Sequence, residues 1–76
     1  MGITFYMGNQ EFSLDWVLKL QQWFEVKSDE EEGAIYIRPK KESYSPSEAL
    51  EMVTMIGEAR ADECGIQEGW VRLWWD

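Results

Sequence analysis

Seventy-six residues, 15 of them acidic and 7 basic, with no histidine and one cysteine, form a small chain of net charge −8. That inventory excludes the histidine general base and the histidine-ligated metal site, opposes non-specific nucleic-acid binding and leaves Cys64 without an internal disulfide partner. Five tryptophans, three phenylalanines and four methionines suffice for one compact core without disulfides, although a chain this size buries only about 60% of its extended surface.

The N-terminal stretch MGITFYMGNQEF lacks the basic region of a signal peptide, and Tyr6 stands where a myristoylation signal needs Ser or Thr. No apolar run approaches the roughly 18 residues of a membrane span. With no linker and no repeat, the expectation is a single domain over residues 1–76, soluble and cytoplasmic.

Residues Ile3 to Met7 alternate and are β-rich, with Ile3, Phe5 and Met7 on one face and Thr4 and Tyr6 on the other. Gly8-Asn9 suits a two-residue turn, which sets Phe5 opposite Phe12 on a short return strand, Gln10 to Phe12. Ser13 is an N-cap for a helix over Leu14 to Phe24. At 100° per residue Trp16, Val17, Leu20, Trp23 and Phe24 share its inner face, with Leu14 and Leu18 on a flank.

A strand FEVKS, an acidic turn DEEEG and a strand AIYIRP follow. Their alternation places Val26, Ile35 and Ile37 inward, and Glu25, Lys27, Tyr36 and Arg38 outward. In SPSE, Ser45 is the N-cap, Pro46 takes the first helical position and Glu48 closes a capping box. The spacing predicts that this helix runs to about Cys64 and stops at Gly65. Its predicted buried face is Ala49, Met52, Val53 and Ile56, and its outer face is an acidic stripe of Glu51, Glu58 and Asp62 with Met55 embedded. Trp70 to Trp75 is the closing strand. An unpaired arginine in the core is costly, so Val71, Leu73 and Trp75 point inward, and Trp70, Arg72 and Trp74 point outward. The spacing lets Arg72 stack between the two indoles.

The resulting strand, helix, strand, strand, helix, strand order resembles the ferredoxin-like βαββαβ sandwich, an α+β fold with two helices on one face of an antiparallel sheet. A short N-terminal hairpin strand is an expected addition. The open sheet face then carries Tyr6, Tyr36, Arg38, Lys27, Trp70, Arg72 and Trp74. Aromatics on the first and third strands resemble the layout of an RNA recognition motif, but GAIYIRPK departs from that family's signature, and the net charge opposes backbone-driven RNA binding.

Little chemistry is on offer. Cys64 reads as a buried spectator on the second helix, and DEEE reads as a solvated hairpin tip lacking the ligand spacing of an EF-hand. Gly8, Gly57 and Gly65 read as a turn, a packing position and a helix stop. No enzyme activity, metal or cofactor is expected. Size, acidity and absence of chemistry are similar to those of small phage-encoded inhibitors of bacterial defence systems, including anti-CRISPR proteins. The leading expectation is therefore a non-catalytic inhibitor that covers a basic, nucleic-acid-binding surface of a larger protein. Its contact would be Glu48, Glu51, Glu58 and Asp62, spaced like phosphates, with Met55 as apolar anchor. The competing expectation is a nucleotide or single-stranded nucleic-acid binder using Tyr6, Tyr36, Arg38, Trp70, Arg72 and Trp74. A homodimer through that sheet face is a third.

Overall fold

A computed structural model describes residues 4–7, 10–29 and 31–76. Eight elements follow in order: β1 (Thr4–Met7), β2 (Gln10–Ser13), α1 (Leu14–Trp23), β3 (Phe24–Asp29), β4 (Ala34–Pro39), α2 (Pro46–Glu58), β5 (Glu63–Gln67) and β6 (Trp70–Trp74). β1 and β2 pair as a separate hairpin, while the other strands form an antiparallel sheet ordered β3-β4-β6-β5. Two helices over a four-stranded antiparallel sheet, plus the extra strand pair, make the expected α+β fold, and its layers are compatible with a ferredoxin-like sandwich. The extents, 33 × 33 × 17 Å, are those of a thin two-layer slab.

Local chemistry explains both helix starts. Ser13 Oγ accepts the backbone N–H of Trp16 at 3.2 Å, satisfying one of the donors that a first helical turn leaves orphaned. At α2 the capping box is complete: Ser45 Oγ accepts from Glu48 N at 3.3 Å, and Glu48 Oε1 accepts from Ser45 N at 3.0 Å. α1 passes into β3 without a loop, because Phe24 turns to extended backbone while its N–H still reaches Leu20 O.

Three expectations are corrected. β1 does not enter the main sheet. The register Phe5↔Phe12 is as expected, but the pair stands apart, so β4 finds its second neighbour in β6. Ile3 and the Gly8-Asn9 turn lie outside the described residues, as do the side chains expected inward on β1.

The second correction concerns the end of α2. It stops at Glu58, with Ala59 as C-cap and Arg60 in the left-handed region at φ 50°. The chain then forms β5, and Gly65 is a strand residue facing Arg72 rather than a helix stop. A tight hairpin explains the change. Glu68 (φ 53°) and Gly69 (φ 82°) both take positive φ between the partners Gln67 and Trp70, as a two-residue turn matched to strand twist demands. Cys64 is consequently exposed on an edge strand, not buried in a helix.

The third correction rotates α2. Met52, Met55 and Ala59 are buried, and Ile56 is packed against the core. Ala49 and Val53, expected inside, are exposed, and Gly57 faces open space rather than a close neighbour.

The core joins Phe12, Leu20, Phe24, Ile35, Ile37, Met52, Met55, Leu73 and Trp75 in one cluster. Trp75 locks three parts of the chain together. Its ring meets Phe12 edge-on at 5.0 Å, and its Nε1 donates to Ala59 O at 2.8 Å. Phe12 in turn stacks on Trp16 at 4.6 Å, which ties the separate hairpin to α1. Leu73 and Trp75 point inward as expected, with Val71 half-buried beside them. β5 lies beyond the helices' cover, and all five of its residues are exposed.

Candidate functional site

Two surfaces stand out, one on each side of the slab. The first is the open face of the sheet. The registers Lys27↔Tyr36 and Tyr36↔Arg72 put these residues side by side, and strand alternation adds Arg38, Trp70 and Trp74 to the same face. Six of the seven residues expected there are thus brought together. Tyr6 is not among them. It sits on the separate hairpin, 64% exposed, with its hydroxyl 3.5 Å from Glu11 Oε1.

The contacts on this face differ from those expected. Arg72 does not lie between the indoles; it donates from Nε to Tyr36 Oη at 3.2 Å and from Nη2 to Glu32 Oε2 at 3.2 Å. Those two hydrogen bonds, Tyr36 first, hold its pKa above the ordinary arginine value. Trp74 Nε1 donates to Glu32 O at 2.8 Å, so Glu32 clasps the β3-β4 turn onto β6. The indole with cations against it is Trp70, with Lys27 Nζ 4.4 Å and Arg38 Cζ 4.3 Å from its centroid. Lys27 also lies over Tyr36 at 5.3 Å, and Arg38 pairs with Glu25 through Nε at 2.7 Å. These rings and charges largely satisfy one another.

The second surface is α2. The acidic residues expected to act together are dispersed. Glu48 is drawn into the capping box, and its carboxylate is held below the ordinary value by the Ser45 backbone N–H, then by the Ser45 hydroxyl and Lys41. Glu51 pairs with Lys19 of α1 at 3.3 Å. Glu58 is exposed at the last turn, and Asp62 lies beyond the helix, its Oδ2 accepting from Asp76 N at 2.8 Å. Met55 is no surface anchor: its relative exposure is 0%. It shares the buried arc of α2 with Met52 and Ala59, in the core cluster that includes Ile35, Ile37 and Leu73 of the sheet.

The apolar surface sits elsewhere on the helix. Leu50 is 68% and Val53 66% exposed, and at 100° per residue they share an outer strip with Pro46 and Gly57. Thr54 and Ser47 border that strip on one side, with Glu58 and Glu51 beyond them. On the other flank, Val53, Ala49 and Ile56 border an open apolar groove of about 320 Å³, closed below by Phe24, Val71 and the Tyr44 side. Tyr44 is fixed there, donating to Trp23 O at 3.2 Å and accepting from Lys41 N at 2.8 Å. The sequence reading missed Leu50 and Val53 as surface residues. The available signal was an apolar arc on α2 too wide for one buried face, since residues 49, 50, 52, 53, 55 and 56 are all uncharged and apolar.

Among the described residues no cluster of three or more potential metal ligands occurs, and no helix is long and apolar enough to cross a membrane. Comparison with protein-family models, with curated proteins and with solved structures finds no match.

Proposed function

We propose that this protein is a non-catalytic binding module that docks the outer face of α2 on a basic surface of a larger protein, as a small acidic inhibitor covering a nucleic-acid-binding site would. The observation that carries the reading is the exposure of Leu50 and Val53 on a helix that carries Glu58 and Glu51 further round, past Thr54. Covering an aliphatic side chain is worth about 1.5–3 kcal/mol when burial is complete, and neither residue gains that within the chain. Those two carboxylates add complementarity to a basic partner, and the net charge of −8 steers such a partner while opposing nucleic acid. Glu51 and Glu58 keep the role first expected of the acidic stripe; Leu50 and Val53 replace Met55 as anchors. The sheet-face reading has less support, because its rings already hold internal cations and Tyr6 is elsewhere.

A photo-reactive side chain at position 50 or 53 tests the proposal in cells that make this chain. The expected result is a covalent adduct with a basic protein, absent when the group is placed at position 66 or 74. The adduct should disappear on charge reversal by Glu51→Lys with Glu58→Lys. Adducts from the sheet positions alone, or an adduct indifferent to charge reversal, would sink the reading.

A further inference from the structure

An open groove of about 590 Å³ runs along one end of the sheet's open face, with Tyr36 and Trp70 beside Lys27 and with Asp29, Glu31 and Glu68 around it. Its composition is unusual in one respect: the aromatic floor is already engaged by cations. Lys27 Nζ lies over both rings, and Arg38 adds a second cation at Trp70. Among the described residues Lys27 makes no ion pair, so the rings are its principal partners. Three carboxylates against the Lys27 ammonium, with Arg38 already paired to Glu25, give the groove a negative balance, which disfavours phosphate and favours a positive guest.

We propose that this groove is a recognition site for a cationic side chain, a guanidinium or ammonium group presented by a basic peptide segment. The guest takes the place of Lys27 over Trp70 and Tyr36, and its charge is met by the carboxylates of Asp29, Glu31 and Glu68. Lys27 then acts as a built-in competitor, an internal cation on a flexible stem that occupies the site until a guest displaces it. Aromatic faces attract cations through the ring quadrupole, most strongly at tryptophan, and arginine is the commonest guest. The site shares no residue with the outer face of α2, so either can fail alone.

The test follows the Trp70 indole N–H resonance during titration with acetyl-Gly-Arg-Gly-amide. The controls are the same peptide with neutral citrulline for arginine, and adenosine monophosphate. The expected result is a saturable shift with the arginine peptide, none with the citrulline peptide, and weakening as salt is raised. Lys27→Met, an exposed change that leaves the fold intact, should tighten binding by about two- to five-fold, the worth of one exposed cation–π contact. Glu31→Gln with Glu68→Gln should weaken it. Saturation by adenosine monophosphate in place of the arginine peptide would overturn the proposal and restore the nucleotide reading of the sheet. Absence of any saturable shift in the native chain and in Lys27→Met would also overturn it.

Discussion

On the open face of the sheet, each large side chain has a partner from within the molecule: Trp70 holds Lys27 and Arg38, Tyr36 bonds Arg72, and Trp74 bonds the backbone of Glu32. On the outer face of α2 the side chains are smaller, but Leu50 and Val53 are about two-thirds exposed to solvent. The contrast teaches that bulk and exposure are poor guides to a docking surface taken alone. A tryptophan whose ring and N–H are engaged gives up those contacts when it binds something else, whereas an unpartnered leucine gives up only water. The two faces therefore suit different guests, a cation that replaces a cation on the sheet and an apolar contact on the helix.

The largest expected effect separates the two sides of α2. Met55→Ala should destabilise by about 2–5 kcal/mol, since truncating a fully buried side chain loses its transfer energy and leaves a cavity. Leu50→Ala, five positions earlier on the same helix, should stay within about 0.5 kcal/mol. Urea denaturation measures both, and equal costs would erase the distinction between the inner and outer faces.

Next in size is Trp70→Leu. Losing two exposed cation–π contacts should cost about 1–2 kcal/mol, with a native near-ultraviolet spectrum from the remaining indoles. A neutral result would mean that the cations do not stabilise the sheet face, and would blunt the contrast drawn above.

The capping box provides a smaller and pH-dependent effect. Ser45→Ala should cost about 1 kcal/mol. Glu48 has its folded pKa lowered from the ordinary 4.5, so its contribution is present above that value and is lost as pH falls through the lowered folded value. The stability difference between the native chain and Glu48→Gln should accordingly shrink on acidification. A difference that grows at low pH would contradict the hydrogen-bonded carboxylate. Smallest of all is Ile66→Thr on the uncovered strand β5, where Ile66 is 82% exposed; thermal denaturation should place it within about 0.5 kcal/mol of the native chain.

Much of this architecture was legible in the chain. Ser13 and Ser45 announced their helices through capping chemistry, Pro39 closed its strand, and the cost of burying Arg72 settled which residues of β6 point inward. The end of α2 was not legible, for a physical reason. ADECGIQ continues a helical pattern acceptably, and what turns it into a strand is distant pairing with β6 across a Glu68-Gly69 turn lacking the usual Asn-Gly or Asp-Gly signal. The rotation of α2 was ambiguous for a related reason. Apolar residues surround most of the helix, so periodicity alone fitted Ala49, Met52, Val53 and Ile56 as well as it fitted Met52, Met55 and Ala59. Residue types on the sheet face were readable from alternation; their partners were not. Which cation lies on which ring depends on strand register, and Lys27 reaches Trp70 only because β4 lies between their strands.

The central claim is that α2 carries the docking surface on its outer strip. The most direct measurement is the affinity of the Leu50→Ser, Val53→Ser double variant for the partner captured from position 50 or 53, compared with the native chain. The account predicts a loss of at least about ten-fold, the size of effect that marks residues at the centre of an interface. Undiminished affinity would contradict it and move the search for the interface to the opposite face of the slab.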